Sequence, residues 1–513
     1  MKNPISGALI KSGLSLSRKV IVKPVNASAS QQRTLRSLLK KAAITQIGKA
    51  YDFKELAKSE DLFNDYRSAL PIYDYDKMHE EWWHKNLEGQ SNVTWRGKVN
   101  YFALSSGTTG APSKYIPITN EMIRSIRLAG LKTYSGLTIS DLAPQQYSKK
   151  VLMLGGSSDL RKTEHYYYGD LSGILVHKLP VWMAKRYKPG LEIASIKDYH
   201  EKMLAIAREA PKWDIGFISG IPSWIHMMLE YILEYNRLSN IHEIWPNLKV
   251  YAHGGTAFSP YKDSIQKVMG RPIIFLDTYL ASEGFIAYQS SQEAKGMTLN
   301  LNCGLYFEFI PFDSDNFDGT GQPLPTARVI SIDEVENHVD YAILLTTCAG
   351  AWRYLIGDTV KFIDKDKVEL LVTGRTKHFL SICGEHLSID NMNQGLLAMQ
   401  ESLKIDVKEF VVAGIKSGSR FSHRWYISSE PMAYNPSIIS KELDLQLKKV
   451  NDDYASARKA VLNPPSVTPL PPRVFYDYLQ SKGKMGGQVK FPRVMTKDNF
   501  ADWEQYVKTH YSE

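Results

Sequence analysis

Residues 105–114 read Ser105-Ser106-Gly107-Thr108-Thr109-Gly110-Ala111-Pro112-Ser113-Lys114. Such a stretch is suited to an anion. Glycines let successive main-chain N–H groups converge on one point, and Ser and Thr hydroxyls add donors. Lys114 adds a point charge for outer phosphates. A short apolar run, Tyr101 to Leu104, precedes the loop, and a helical pattern begins near Thr119. Pro112 stands where the mononucleotide P-loop needs its second glycine, so that motif is excluded. The loop points to a polyphosphate, ATP above all, held by another kind of fold.

Three further motifs follow in chain order. Tyr279-Leu-Ala-Ser-Glu-Gly284 ends an apolar run; a tyrosine there can stack on a base, Ser282 can touch phosphate and Glu283 can hold Mg²⁺. Tyr354-Leu-Ile-Gly-Asp358 offers a carboxylate to both hydroxyls of a ribose. Gly374-Arg-Thr-Lys377 is followed by Cys383-Gly-Glu385. Each has a plain reading when taken alone. Glu283 can be a helix N-terminal carboxylate, Asp358 a turn residue, and a lysine such as Lys490 a solvated side chain. Their common order carries the argument.

The elements that position these motifs show in the hydrophobic pattern. Between about 98 and 290, apolar runs at Val151–Leu154, Ile215–Ile218, Val250–Ala252 and Ile273–Leu276 each end in Gly, Ser or Thr. Pro222 is well placed to open a helix through Leu233. This alternation predicts a mostly parallel sheet with helices on its faces and ligands at the strand ends. From about 297 to 375, strand-like runs without helical periodicity predict an antiparallel or barrel-like subdomain. Beyond 377, helices at 389–399 and 438–450 and strands at 410–413 and 425–428 predict a small α+β domain. Pro464 to Pro472 reads as a stiff linker. Leu35, Leu38, Leu39 and Ala42 predict a packed first helix within 31–49.

The formal charge of +9 is misleading about partners. Residues 1–51 hold ten Lys and Arg and no acid, which leaves the rest of the chain one charge below neutral. A basic segment on a near-neutral body argues against a nucleic-acid surface. An acid-free, Ser-containing start also fits a transit peptide. No apolar run reaches the length of a membrane span. Cys303, Cys348 and Cys383 are far apart, which favours free thiols in a reducing compartment, the cytoplasm, over disulfides or zinc.

Taken in order, the motifs resemble those of the adenylate-forming superfamily of acyl-CoA synthetases, luciferases and peptide-synthetase adenylation domains. Within it they are most similar to the Gretchen Hagen family of acyl-acid amido synthetases, the plant auxin- and jasmonate-conjugating enzymes and their bacterial relatives. Gln488-Val-Lys-Phe-Pro-Arg493 resembles that family's C-terminal lysine motif; Leu355 replaces the arginine usual in the plant ribose motif. The resemblance implies a large N-terminal domain, 1–376, of parallel α/β and β-barrel-like subdomains, and a small mobile domain, 377–513. It implies that Ser105, Ser106, Gly107, Thr108, Thr109 and Lys114 bind phosphates, that Gly255 and Thr256 flank adenine, and that Tyr279 stacks on it. Ser282 would touch phosphate, Glu283 would hold Mg²⁺, and Asp358 with Arg375 would take the ribose. Lys377 would be the hinge and Lys490 the mobile catalytic lysine, with Lys484 the competing candidate.

The chemistry implied is attack of a carboxylic acid on ATP to give an acyl-adenylate, then transfer to an amine such as an amino acid. A thiol acceptor, as in acyl-CoA ligases, and a non-catalytic adenylate-binding role are the alternatives. Trp224 with His226, Phe285, and His165 with Tyr166, Tyr167 and Tyr168 are candidates for an acyl pocket, with plain core packing as the competing reading.

Overall fold

The computed structural model describes residues 4–21, 26–105, 114–140, 142–318, 320–376, 380, 387–417, 420–429, 435–460, 462–484 and 489–511. Ser106, Gly107, Thr108, Thr109, Lys377 and Cys383 lie outside these.

The chain opens with helix α1, Pro4–Ile21. It packs on residues 137–147, burying Leu14 and donating from Lys11 Nζ to the Leu142 carbonyl at 2.8 Å. Gly7 permits that approach, since a Cβ there would sit 2.4 Å from the Pro144 oxygen. In α2, Ala27–Ala42, Asn26 caps the start by accepting from the Ala29 N–H, and Leu35, Leu38, Leu39 and Ala42 are buried. The helix expected within 31–49 is broken rather than continuous. Thr45 accepts from Gly48 N–H and starts a new short helix, Gln46–Ala50, because an N-cap threonine takes donors that a continuous helix would not leave free.

The strands are β1 Tyr101–Ser105, β2 Lys114–Ile118, β3 Lys150–Leu154, β4 Arg161–Lys162, β5 Tyr167–Gly169, β6 Tyr187–Lys188, β7 Ile215–Gly220, β8 Val250–Gly254 and β9 Ile274–Ala281. They continue as β10 Gly284–Tyr288, β11 Met297–Leu299, β12 Leu305–Pro311, β13 Asp340–Thr347, β14 Tyr354–Asp364 and β15 Glu369–Arg375. The last three are β16 Phe410–Ser417, β17 Arg420–Ser428 and β18 Ser466–Leu470. One sheet of eleven strands runs β12-β13-β14-β15-β11-β10-β9-β8-β7-β3-β6. Its β6-β3-β7-β8-β9 part is parallel. From β9 to β12 every pairing is antiparallel. The two textures seen in the sequence are therefore halves of one continuous sheet.

Three local readings change. Residues 106–113 lie between two antiparallel strands, with Ser105 opposite Lys114, and these belong to a separate sheet, β2-β1-β5-β4. Thr119 then caps α3, Asn120–Gly136. No helix follows β9: Ser282 and Glu283 make a two-residue turn, with Ala281 opposite Gly284. The next run, Gly284 to Tyr288, is buried at every position, as a central strand covered on both faces must be. Pro464–Pro472 is not a linker. It supplies edge strand β18, parallel to β17, and then helix α8 below; an edge position tolerates the N–H that Pro469 lacks.

The helices that position the site are α4 Pro222–Asn236 and α5 Ser259–Val268, which share one core with β3 and β7. Later come α6 Ile389–Leu403, α7 Pro436–Val450, α8 Pro472–Ser481 and α9 Lys497–Tyr511. Residues from Leu380 onward build their own two apolar clusters, one around Trp425 and Leu443, one around Phe475 and Trp503.

Candidate functional site

Strands β9, β14 and β15 bring Tyr279, Asp358 and Arg375 together. Asp358 faces Arg375 in the ladder; the guanidinium Nε donates to Asp358 Oδ1 at 2.9 Å. The Tyr279 hydroxyl donates to the other carboxylate oxygen at 2.6 Å. Gly357, at φ +84°, supplies the left-handed turn of backbone just before Asp358, a conformation glycine adopts without strain. Tyr279 is buried, and burial together with Asp358 holds its phenol well above the usual range.

Glu283 stands on the adjacent turn and is 8% exposed. Burial pushes its carboxyl up to about 7; Asp358 adds to the rise, while its own backbone N–H, Arg375 and Lys114 oppose it. Lys114, at the foot of β2, lies 5.2 Å from the Tyr75 ring centre. Ser105 and Ser282 are half-buried at the ends of β1 and of the β9–β10 turn. Two acids and two bases, drawn from three strands and the β9–β10 turn, thus face one small volume.

The loop after β8 closes one side of that volume. Gly255 has φ +86°, and a Cβ on it would sit 3.3 Å from both Lys490 Cε and Ile221 Cγ1. Lys490 therefore enters the cluster. Loss of hydration pushes its ammonium pKa down; Asp358 opposes this and Arg375 adds to it. The side chain as a whole keeps much of its surface exposed, while its Cε lies close to Gly255. Lys484, by contrast, is exposed at the end of α8, its N–H bound to the Leu479 carbonyl.

A nucleotide fits what these residues leave unmet. Thr256 Oγ1 and Thr376 Oγ1 are buried without a hydrogen-bond partner, an arrangement that costs free energy unless a ligand supplies the partner. They flank the loop after β8 and the end of β15. A divalent cation would have Glu283 as its protein carboxylate. Magnesium commonly takes only one or two such groups, its remaining ligands coming from phosphate and water.

Trp224 and Phe285, the candidates for an acyl pocket, are both buried against protein in this structure. Phe285 packs in the main core. Trp224, 1% exposed, donates from Nε1 to the Val489 carbonyl at 2.6 Å. His165 and Tyr167 line a separate cavity of about 220 Å³ with Tyr101, at the end of β1 away from Ser105. A larger cleft of about 1140 Å³, lined by Arg67, Lys77 and Arg328, shares only Leu355 with the motifs. Sequence reasoning missed the Tyr261–Glu409–Arg493 group, in which Tyr261 of α5 donates to Glu409, and Arg493 pairs with Glu409 at 2.7 Å. Nothing in local spacing signals pairs so remote in the chain.

Comparison with known proteins identifies the family. The GH3 family N-terminal domain matches residues 22–210 and 159–273, the GH3 family central domain residues 298–368, and the GH3 family C-terminal domain residues 391–499. The chain belongs to the GH3 family. Among relatives of this GH3 protein, jasmonoyl–L-amino acid synthetase JAR4 of Nicotiana attenuata is 33% identical over 135 residues, 25% of this chain and 22% of the relative. Jasmonoyl–L-amino acid synthetase GH3.5 of Oryza sativa subsp. japonica is 28% identical over 286 residues, 50% of this chain and 48% of the relative. The matched stretches thus span about half or less of these curated relatives. The solved GH3.15 acyl acid amido synthetase superposes with a TM-score of 0.76 at 16% identity, over 96% of each chain. A 2-hydroxyisobutyryl-CoA ligase in its postadenylation state superposes at 0.61 and 12% identity, over 93% of this chain and 91% of the other. These likenesses establish a shared fold. Among the described residues, no helix is long and apolar enough to cross a membrane.

Proposed function

We propose that this GH3 protein joins a carboxylic acid to an amine, with an amino acid as the acceptor, at the expense of ATP. The observation that carries this reading is the entry of Lys490 into the cluster of Asp358, Arg375 and Glu283 from a segment far away in sequence. In the first step a substrate carboxylate oxygen attacks the α-phosphorus, the bond to the bridging oxygen of the β-phosphate breaks, and pyrophosphate leaves. Lys490, partly stripped of water, meets the charge that develops on the α-phosphate, where a fixed cation is worth most. Asp358 accepts from the ribose hydroxyls while Arg375, 2.9 Å away, holds its carboxylate in place. Thr256 and Gly255 border the base. Ser105, Ser106, Thr108, Thr109, Ser282 and Lys114 hold the outer phosphates. Mg²⁺ on Glu283 would neutralise the departing pyrophosphate. In the second step the amine nitrogen attacks the acyl carbon, AMP leaves with the electron pair of the broken bond, and the nitrogen gives up a proton. No nucleophile of the protein is needed, since positioning and charge do the work.

The relatives named as jasmonoyl–L-amino acid synthetases, and the better superposition on an amido synthetase than on a CoA ligase, favour an amine acceptor. The apolar clusters built by residues after Leu380 support a division into a large domain, 1–376, and a small one, 377–513; the family resemblance adds that the small one turns about Lys377. Cys303 and Cys348, free and buried, suit a reducing compartment such as the cytoplasm. The test is ATP–pyrophosphate exchange across aryl, indolyl and fatty acids, followed by AMP release with amino acids or CoA as acceptor. Exchange with an acid, then amide formation, supports the reading. AMP release that depends on CoA replaces the acceptor, and ATP binding without any exchange overturns the enzyme.

A further inference from the structure

Lys490 reaches the cluster because the segment around it is gripped from both sides. On its own side, Arg493 pairs with Glu409, stacks over the Phe410 ring at 4.7 Å, and its carbonyl accepts from Val412 N–H at 2.9 Å. Phe491 packs against both Phe475 and Trp503, which also touch each other. These contacts join residues that all follow Leu380, so they persist whatever that part of the chain does. The grip from the other side is different in kind. Trp224 of α4 donates its indole N–H to the Val489 carbonyl, one residue from the lysine, and its ring meets Tyr199 at 4.8 Å and Tyr476 of α8 at 6.2 Å. Tyr261 of α5 donates to Glu409, the partner of Arg493, and both are buried. An indole has one donor and no acceptor, and a buried donor without a partner is costly. The α4–α5 face thus makes two directional contacts toward this part of the chain, one to the lysine segment itself and one to Glu409, which holds Arg493.

Resting on the adenylation reading above, we propose that Trp224 and Tyr261 are positioning residues that latch the Lys490 segment in the posture for acyl-adenylate formation and are not needed for acyl transfer. The latch acts through main chain at Val489 and through the Glu409–Arg493 pair. It fixes the lysine without touching nucleotide. A grip of this kind speeds only the half-reaction that uses the docked posture.

The test is Trp224→Phe, which keeps the ring and removes the donor, alongside Tyr261→Phe. Each should slow ATP–pyrophosphate exchange about five- to ten-fold, the worth of one hydrogen bond. Single-turnover aminolysis of a supplied acyl-adenylate should keep its wild-type rate. Hydrogen–deuterium exchange, which needs no turnover, should speed up in peptides spanning Val489–Met495 and stay unchanged in α6 and α7. Equal loss in both half-reactions, no loss in either, or unaltered protection at 489–495 would overturn the latch. If the wild-type protein exchanges with no acid, the adenylation reading fails by itself, and the protection data alone then decide whether the segment is held by Trp224.

Discussion

Glu283→Gln should stabilise the ligand-free protein at alkaline pH while disabling it. The carboxyl stands at about 7 in the folded chain against an ordinary 4.5, chiefly because it is buried. Below pH 4.5 it is protonated folded or unfolded, and stability is at its fullest. Between 4.5 and about 7 the folded state holds a proton that the unfolded state has lost, so stability falls as pH rises. Above 7 the loss is complete. A gap of two to three pKa units at about 1.4 kcal/mol each gives about 3 kcal/mol. Glutamine mimics the protonated acid in shape and charge at every pH. Urea unfolding of magnesium-free protein should therefore give similar midpoints for variant and wild type near pH 5. The variant should be more stable by about 3 kcal/mol near pH 8.5, with an unchanged denaturant slope. Groups remote from Glu283 cancel in the difference. A stability difference that stays flat with pH, or favours wild type as pH rises, would refute the burial argument. Exchange activity should fall in the same variant, which is the trade between stability and activity common at buried charged sites.

Other perturbations separate roles that the cluster combines. Lys490→Ala should lower ATP–pyrophosphate exchange about 10²- to 10³-fold, while Lys484→Ala, at an exposed helix end, should leave it within about two-fold of wild type; equal losses would return the role to Lys484. Gly255→Ala places a Cβ 3.3 Å from Lys490 Cε in a left-handed backbone. Strain of about 1–2 kcal/mol at that residue should lower exchange more than it weakens ATP binding by calorimetry. Glu308→Gln leaves the buried guanidinium of Arg353, 3.1 Å away, without its counter-charge. Chemical unfolding should register a loss of about 3–5 kcal/mol, with residual exchange activity per folded molecule unchanged.

The parallel half of the sheet was legible because each buried strand is a short apolar run that ends in Gly, Ser or Thr. Asp358 and Glu283 were legible as a pair only through motif order; in isolation neither differs from a turn residue. The β9–β10 hairpin was not legible, because a two-residue turn at Ser282–Glu283 resembles the start of a helix after a strand. The prolines around β18 hid an edge strand for a similar reason, since local stiffness says nothing about which neighbour a strand will find. Trp224 was visible as a large aromatic within a helical pattern. What it binds, the carbonyl of Val489, depends on how two remote parts of the chain dock, and no periodicity encodes that.

Chain order gives the site a history. Lys114, Tyr279, Glu283, Asp358 and Arg375 all lie within the stretch that ends with β15, whereas Lys490 lies far downstream. On the adenylation reading, a growing polypeptide therefore finishes the proposed nucleotide cradle first and receives the proposed catalytic lysine later, by an interval on the order of ten seconds at usual elongation speeds. On that same reading, ATP would occupy the nascent cradle during the interval and favour its folded form by mass action, with no lysine yet in place for adenylation. Such a chain would be loaded before it is armed, and one cut short between β15 and the lysine would be a nucleotide sink.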